Sequence, residues 1–175
     1  MNEYAKFLHD NKALVYGTRV VLLVAVGAHI FSAILLTKRK AQARPVPYLG
    51  KKPHGSSYAS RTMMWSGPIL ALFVVYHLLH FTTGHLHPAF DHDNVYANVV
   101  LGFQHKSVAL TYILAMLALG FHLSHGLWSV LQTVGLNRPH LEPMLRKAAV
   151  LVAALLISGF IAIPLGVWFH ILEAR

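Results

Sequence analysis

S-V-A-L-T-Y-I-L-A-M-L-A-L-G-F-H-L-S-H-G-L-W-S-V-L-Q-T-V-G-L-N, Ser107 to Asn137, runs for 31 residues without an Asp, Glu, Lys or Arg. A hydrocarbon core about 30 Å thick is crossed by roughly 20 helical residues. Few helices in water-soluble domains stay uncharged for so long. The same pattern recurs on either side of this stretch. Arg19 and Lys38 bracket 18 uncharged residues, Arg61 and Asp91 bracket 29, and Lys147 and Glu173 bracket 25. Charged residues make up 12% of the chain and apolar ones 55%, against about 25% charged in an ordinary soluble domain. In lipid each backbone amide must find its partner within its own segment, so the spans are expected to be helices. The fold class that follows is all-α: an integral membrane four-helix bundle forming one domain over residues 1–175. The predicted helices are at about 13–37, 66–84, 107–132 and 146–171.

The chain has no cysteine, which removes disulfides, zinc thiolates and iron–sulfur clusters from its own chemistry. A net charge of +9 is uneven in a way that speaks for a membrane and against nucleic acid. The 38–65 and 132–147 connections share one side and carry ten basic residues: Lys38, Arg39, Lys40, Arg44, Lys51, Lys52, Arg61, Arg138, Arg146 and Lys147. Their single acid is Glu142. On the other side Lys6, Lys12, Arg19, Lys106 and Arg175 are balanced by Glu3, Asp10, Asp91, Asp93 and Glu173. Basic residues in short loops stay cytoplasmic. The 38–65 and 132–147 loops are therefore expected to face the cytoplasm, with both termini outward, in a multi-pass protein of the cell (inner) membrane. The mixed-charge segment Met1–Thr18 has no signal-peptide pattern. An outward N-terminus without one fits a preceding helix that this sequence lacks. The 38–65 connection is rich in Pro, Gly and Ser and is read as irregular; its charge serves either topology alone or the docking of a polar soluble partner.

Five histidines fall inside the spans: His29, His77, His80, His122 and His125. An ionisable group at bilayer depth is costly and points to function. His29 lies nine residues from Lys38, about 13 Å along a helix axis. His122 lies ten residues from Gln132, so the two sit at one depth; His77 and His80 sit nearer the other side. Two imidazoles at equal height on facing helices, flanked by small residues, are what a bis-histidine heme requires. Ala115, Ala118, His122, Gly126 and Ser129 form such a stripe, and Ala25, Ser32 and Ala33 accompany His29. Tight helix packing with hydrogen-bonded histidines would use the same pattern. The i, i+3 pairs His77/His80 and His122/His125 also suit a transition metal, which keeps a His-lined metal transporter as a rival. No acidic residue lies within any span to assist such transport. His80 and His125 are read as neighbours of a bound group or as interhelical hydrogen bonders.

Four stretches are more specific: His29 through Arg44, S-R-T-M-M-W-S-G (Ser60–Gly67), Y-H-L-L-H-F (Tyr76–Phe81) and G-F-H-L-S-H-G-L-W-S (Gly120–Ser129). They resemble the single-chain diheme cytochrome b membrane anchor of succinate dehydrogenases and fumarate reductases. That family has five membrane helices, and the four spans here correspond to its second to fifth. The resemblance implies that His29 and His122 are the axial pair of the proximal heme b, that His77 is an axial ligand of the distal heme, and that the helix supplying its partner is the missing first one. It implies electron transfer to a membrane quinone, expected to be menaquinone, from flavoprotein and iron–sulfur subunits on the cytoplasmic face. No catalytic residue for succinate chemistry is expected on this chain. Ser60, Arg61, Trp65, Trp128 and Gln132, at the cytoplasmic ends of the second and third spans, are candidates for heme propionates or quinone carbonyls; Arg61 and the tryptophans equally suit interfacial anchoring. A cytochrome b subunit of another membrane dehydrogenase is the alternative within electron transfer. The loop holding His85, His87, Asp91 and His92 is read as a solvated turn rather than a proton relay.

Overall fold

The computed structural model describes residues 1–43, 58–136 and 138–173. The chain divides into two compact units, Met1–His54 and Gly55–Arg175. Among the described residues all regular structure is helical, and four helices are long and apolar enough to cross a membrane. The protein is a multi-pass membrane protein of all-α class. The central part of the basic 38–65 connection, including Arg44, Lys51, Lys52 and His54, lies outside the described residues, as does Arg175.

The first unit holds α1 (Asn2–Asp10) and α2 (Lys12–Ala43). α1 is amphipathic, with Tyr4 and Phe7 stacked at 6.5 Å. Asn11 closes it: its side-chain amide donates to the Phe7 carbonyl at 2.8 Å. α2 is 32 residues long and runs six residues past the predicted end at Thr37. The added turns, from Lys38 to Ala43, are rich in Lys, Arg, Ala and Gln, all strong helix formers. Apolar content marks where lipid ends, while helix propensity marks where the helix ends. Inside the span, Thr18 and Thr37 return their hydroxyls to the carbonyls of Leu14 and Ala33, both at 2.8 Å. This satisfies each hydroxyl within its own helix.

The second unit contains α3 (Tyr58–His77), α4 (Val95–Gln104), α5 (Lys106–Thr133) and α6 (Glu142–Trp168). α3 begins eight residues before the predicted Ser66, because Tyr58–Trp65 contains no helix breaker. It continues through Pro68 and then widens into a π turn, Leu78–Thr82. The wide turn is closed by the Thr83 amide on the Leu78 carbonyl at 2.9 Å. Gly84 then reverses the chain at φ +75°, where a Cβ would stand 2.4 Å from Cγ of Phe90. No larger residue fits there.

α5 packs against both α3 and α6. Ala149, Ala153 and Ile157, spaced by four, form the buried ridge of α6, and Gly120 admits Ile157 at close range. α6 runs through the fully buried Pro164. It stops at Trp168, three residues short of the expected end, where His170 turns left-handed at φ +57° and the Ile171 amide returns to the Gly166 carbonyl at 2.8 Å.

α4 corrects the sequence reading of the connection between the second and third spans. Asn94 caps it by accepting the Ala97 amide at 3.1 Å. At ten residues it is too short to cross a membrane, and it buries Asn98, Val100, Gly102 and Phe103. Val100, Phe103, Ala109, Tyr112 and Val167 make the buried core, so the tightest packing lies at the α4 end of the unit. Elsewhere large apolar side chains stand exposed on every span, Leu23, Leu72 and Leu155 among them. Water would not tolerate so much apolar surface; lipid does.

Candidate functional site

The chemistry-bearing side chains gather at two levels of the second unit. At the first, α3 and α5 bring Ser66 and His122 together: Oγ of the buried Ser66 is 3.2 Å from Nδ1 of His122. The serine hydroxyl also reaches the Met63 carbonyl at 3.4 Å. When that carbonyl takes the hydroxyl hydrogen, the oxygen accepts Nδ1–H and the lone pair of His122 falls on Nε2. Such a bond fixes both the rotation and the tautomer of an imidazole. Ser66 was not among the residues singled out from sequence, although its signal was present as a hydroxyl at the start of an apolar span.

A Cβ on Gly126, one turn along α5 from His122, would meet no other group within 4 Å, and the same holds for Gly67 beside Ser66. The predicted small-residue stripe is not uniform. Ala115 is buried in the packed bundle, whereas Ala118, His122, Gly126 and Ser129 are half-exposed. The open part of the stripe therefore begins near His122 and extends toward Gly126. His29, with Ala25, Ser32 and Ala33, is exposed on α2 in the first unit.

The second level belongs to His77, His80 and Tyr112. His80 is fully buried, its Nδ1 lies 3.1 Å from the Tyr112 hydroxyl, and its Nε2 has no hydrogen-bonding partner. His77 is exposed, with Nδ1 3.4 Å from the same hydroxyl. His80 is thus an interhelical hydrogen bonder, one of the two roles expected of it. The two histidines turn to a shared tyrosine rather than to a shared metal position. Among the described residues no three His, Cys, Asp or Glu side chains converge to hold a metal ion.

The connection expected to be a solvated turn is built into this level. His87 is buried; its Nε2 donates to the Asn98 carbonyl at 2.8 Å, and its Nδ1 accepts the Ala89 amide at 3.1 Å. With both ring nitrogens bonded to backbone, His87 is a structural residue. The Asn98 side chain holds Asp91 by its main chain, donating to the carbonyl at 2.6 Å and accepting the amide at 2.9 Å. His85 bonds Thr83 at 2.8 Å, and His92 packs on the Phe90 ring.

The remaining candidates lie on the first turns of α3 and the last turns of α5. Tyr58 packs edge-on against Phe121 at 5.7 Å, and the Arg61 guanidinium lies 6.0 Å from the Tyr58 ring. Ser60 is half-buried, and Trp65 and Gln132 are exposed. Trp128 is buried, with the Arg146 guanidinium 4.3 Å above its ring. Arg146 in turn bonds Glu142 at 2.9 Å through Nε. Arg146 and Glu142 were read from sequence only as topogenic charges; nothing local marks Arg146 as the partner of Trp128.

Residues 37–163 match the model of a family described as "Succinate dehydrogenase/Fumarate reductase transmembrane subunit". The matched region takes in the last turns of α2, all of α3, α4 and α5, and most of α6. It includes His77 and His122, while His29 precedes it. No curated protein and no solved structure matches the chain.

Proposed function

This chain belongs to the succinate dehydrogenase/fumarate reductase transmembrane subunit family, and from that premise we propose that it is the cytochrome b anchor of a succinate:quinone oxidoreductase. His29 and His122 would be the axial pair of one heme b, and His77 an axial ligand of a second. When bound, heme supplies a one-electron carrier whose potential is set by its ligands and surroundings. The chain contributes the binding, orientation and exclusion of water.

The observation that carries this reading is the family match across His77 and His122, and the local residues fit the group. Ser66 lies within hydrogen-bonding distance of Nδ1 of His122, so coordination would be through Nε2. A Cβ on Gly67 or Gly126 would meet nothing within 4 Å, and a flat macrocycle would approach the backbone there. Arg61, with Ser60, Trp65, Trp128 and Gln132, would bind a carboxylate of the heme or a quinone carbonyl. These residues would face the cytoplasm, where the basic connections meet flavoprotein and iron–sulfur subunits. Electrons would pass between those subunits and a membrane quinone, expected to be menaquinone.

A reduced-minus-oxidised spectrum of the purified complex, with heme quantified per chain, tests the proposal. His29→Ala and His122→Ala should each remove the same low-spin heme. A flat spectrum from the wild-type complex, or a full low-spin signal in either variant, would refute the assignment.

A further inference from the structure

Tyr112 stands between two imidazoles, with its hydroxyl 3.1 Å from Nδ1 of His80 and 3.4 Å from Nδ1 of His77. A phenol hydroxyl has one hydrogen to donate and lone pairs to accept with. A neutral imidazole has one N–H, so the state of Nδ1 dictates that of Nε2. Two neutral rings that share one hydroxyl through Nδ1 cannot both accept its single hydrogen, so at least one of them must carry Nδ1–H. In one arrangement His77 donates Nδ1–H to the tyrosine oxygen, the hydroxyl donates to His80, and His77 keeps its lone pair on Nε2. In the reverse arrangement His77 carries Nε2–H and has no lone pair there to give.

The packing fixes the His80 side of this choice. His80 is stacked on Tyr76 at 5.5 Å with ring planes 10° apart, and its ring lies 4.1 Å from that of Phe81. Gly102 presses on its edge: a Cβ there would sit 3.0 Å from Cε1 of His80. The ring cannot turn away from Tyr112, and that bond is its only anchor, because Nε2 has no partner. The shorter of the two contacts is the one to His80. The hydroxyl hydrogen is assigned to this shorter contact, whose ring is the one held in place by its neighbours.

We propose that Tyr112 and His80 are a positioning pair that holds His77 as the Nδ1–H tautomer, presenting Nε2 as a lone-pair donor. The usefulness of that donor as a heme ligand rests on the reading of His77 given above. The tautomer itself is a property of this chain alone and can be measured without heme.

The test uses the full chain labelled with 15N-histidine and reconstituted in lipid bilayers without heme. Solid-state NMR separates protonated from bare ring nitrogens, and His77→Ala assigns the relevant signals. Wild-type His77 should show protonated Nδ1 and bare Nε2. His80→Phe leaves the tyrosine hydrogen with only His77 to receive it, and should invert His77 to Nε2–H. His80→Asn, whose amide oxygen can accept that hydrogen again, should restore the original state. Tyr112→Phe leaves the core shape intact and should abolish the Nδ1–H preference. Protonated Nε2 on wild-type His77, or an unchanged His77 in both His80→Phe and Tyr112→Phe, would overturn the proposal. The spectrum of the complex separates the two ideas. Heme unaffected by His77→Ala removes the ligand reading while the tautomer data stand; an inverted tautomer beside a heme lost in His77→Ala removes the positioning pair alone.

Discussion

Replacing Gly126 by leucine asks whether the space beside His122 is kept open for a bound group. In the protein alone the change is favourable. The added Cβ meets no other group within 4 Å, and removing glycine from a helix interior stabilises it by about 0.5–1 kcal/mol. The helix should therefore form at least as well as before. A macrocycle lying along the same face would meet the new side chain directly. Overpacking a filled site costs about 1–3 kcal/mol, which corresponds to roughly 5- to 150-fold weaker retention of the group. Gly159→Leu on α6 is the matched control, since a Cβ there also meets nothing within 4 Å and the helix gain is the same. The assay pairs thermal unfolding in detergent with heme quantified per chain. The expected outcome is an unchanged or raised midpoint in both variants, with heme lost only from Gly126→Leu. Full heme occupancy in Gly126→Leu would refute the reasoning, because the open face would then have no occupant.

Ser66→Ala removes the hydroxyl that orients His122, and loss of such a supporting bond typically costs 10- to 100-fold in metal affinity; heme release to an acceptor protein should accelerate by about tenfold or more while helix content stays constant. Gly84→Ala forces a Cβ into Phe90 at a positive φ, and the backbone conformation alone costs about 1–2 kcal/mol, so the unfolding midpoint should fall even with heme unchanged. Asn98→Ala removes both side-chain bonds to Asp91 at about 1 kcal/mol each, and protease cleavage between residues 85 and 94 should become faster while α5 and α6 remain protected.

The spans were legible because they depend on local properties. Absence of charge over the thickness of a bilayer identifies a crossing segment wherever it lies in a chain, and the four uncharged stretches correspond to α2, α3, α5 and α6. The ends were less legible, as Lys38–Ala43 and Tyr58–Trp65 show: both are polar enough to leave lipid and still regular enough to stay helical. α4 escaped notice because a ten-residue, mostly apolar segment broken by Asn98 and Gly102 resembles a loop until a neighbouring surface is available to bury it.

Among the site residues, His77 and His122 stood out because an imidazole in a span is conspicuous in any sequence. Their partners did not. Ser66 and Tyr112 are unremarkable in composition, and they matter only because Ser66 is brought to His122 across 56 residues of chain and Tyr112 to His77 across 35. Trp128 was visible as an interfacial aromatic, but its guanidinium neighbour, Arg146, belongs to the next helix.

What the amino-acid order settled by itself was the class of solvent and the helical state of every crossing, since both follow from charge and length. What tertiary structure decided was which face of each helix turns toward which neighbour. A helix surrounded by lipid is apolar on all sides, so its sequence carries little of the one-sided pattern that tells a helix in water how to rotate. Rotation and register are fixed instead by the close fit of small residues such as Gly120 against Ile157 and by hydrogen bonds such as Ser66 to His122, and these exist only once the helices are packed.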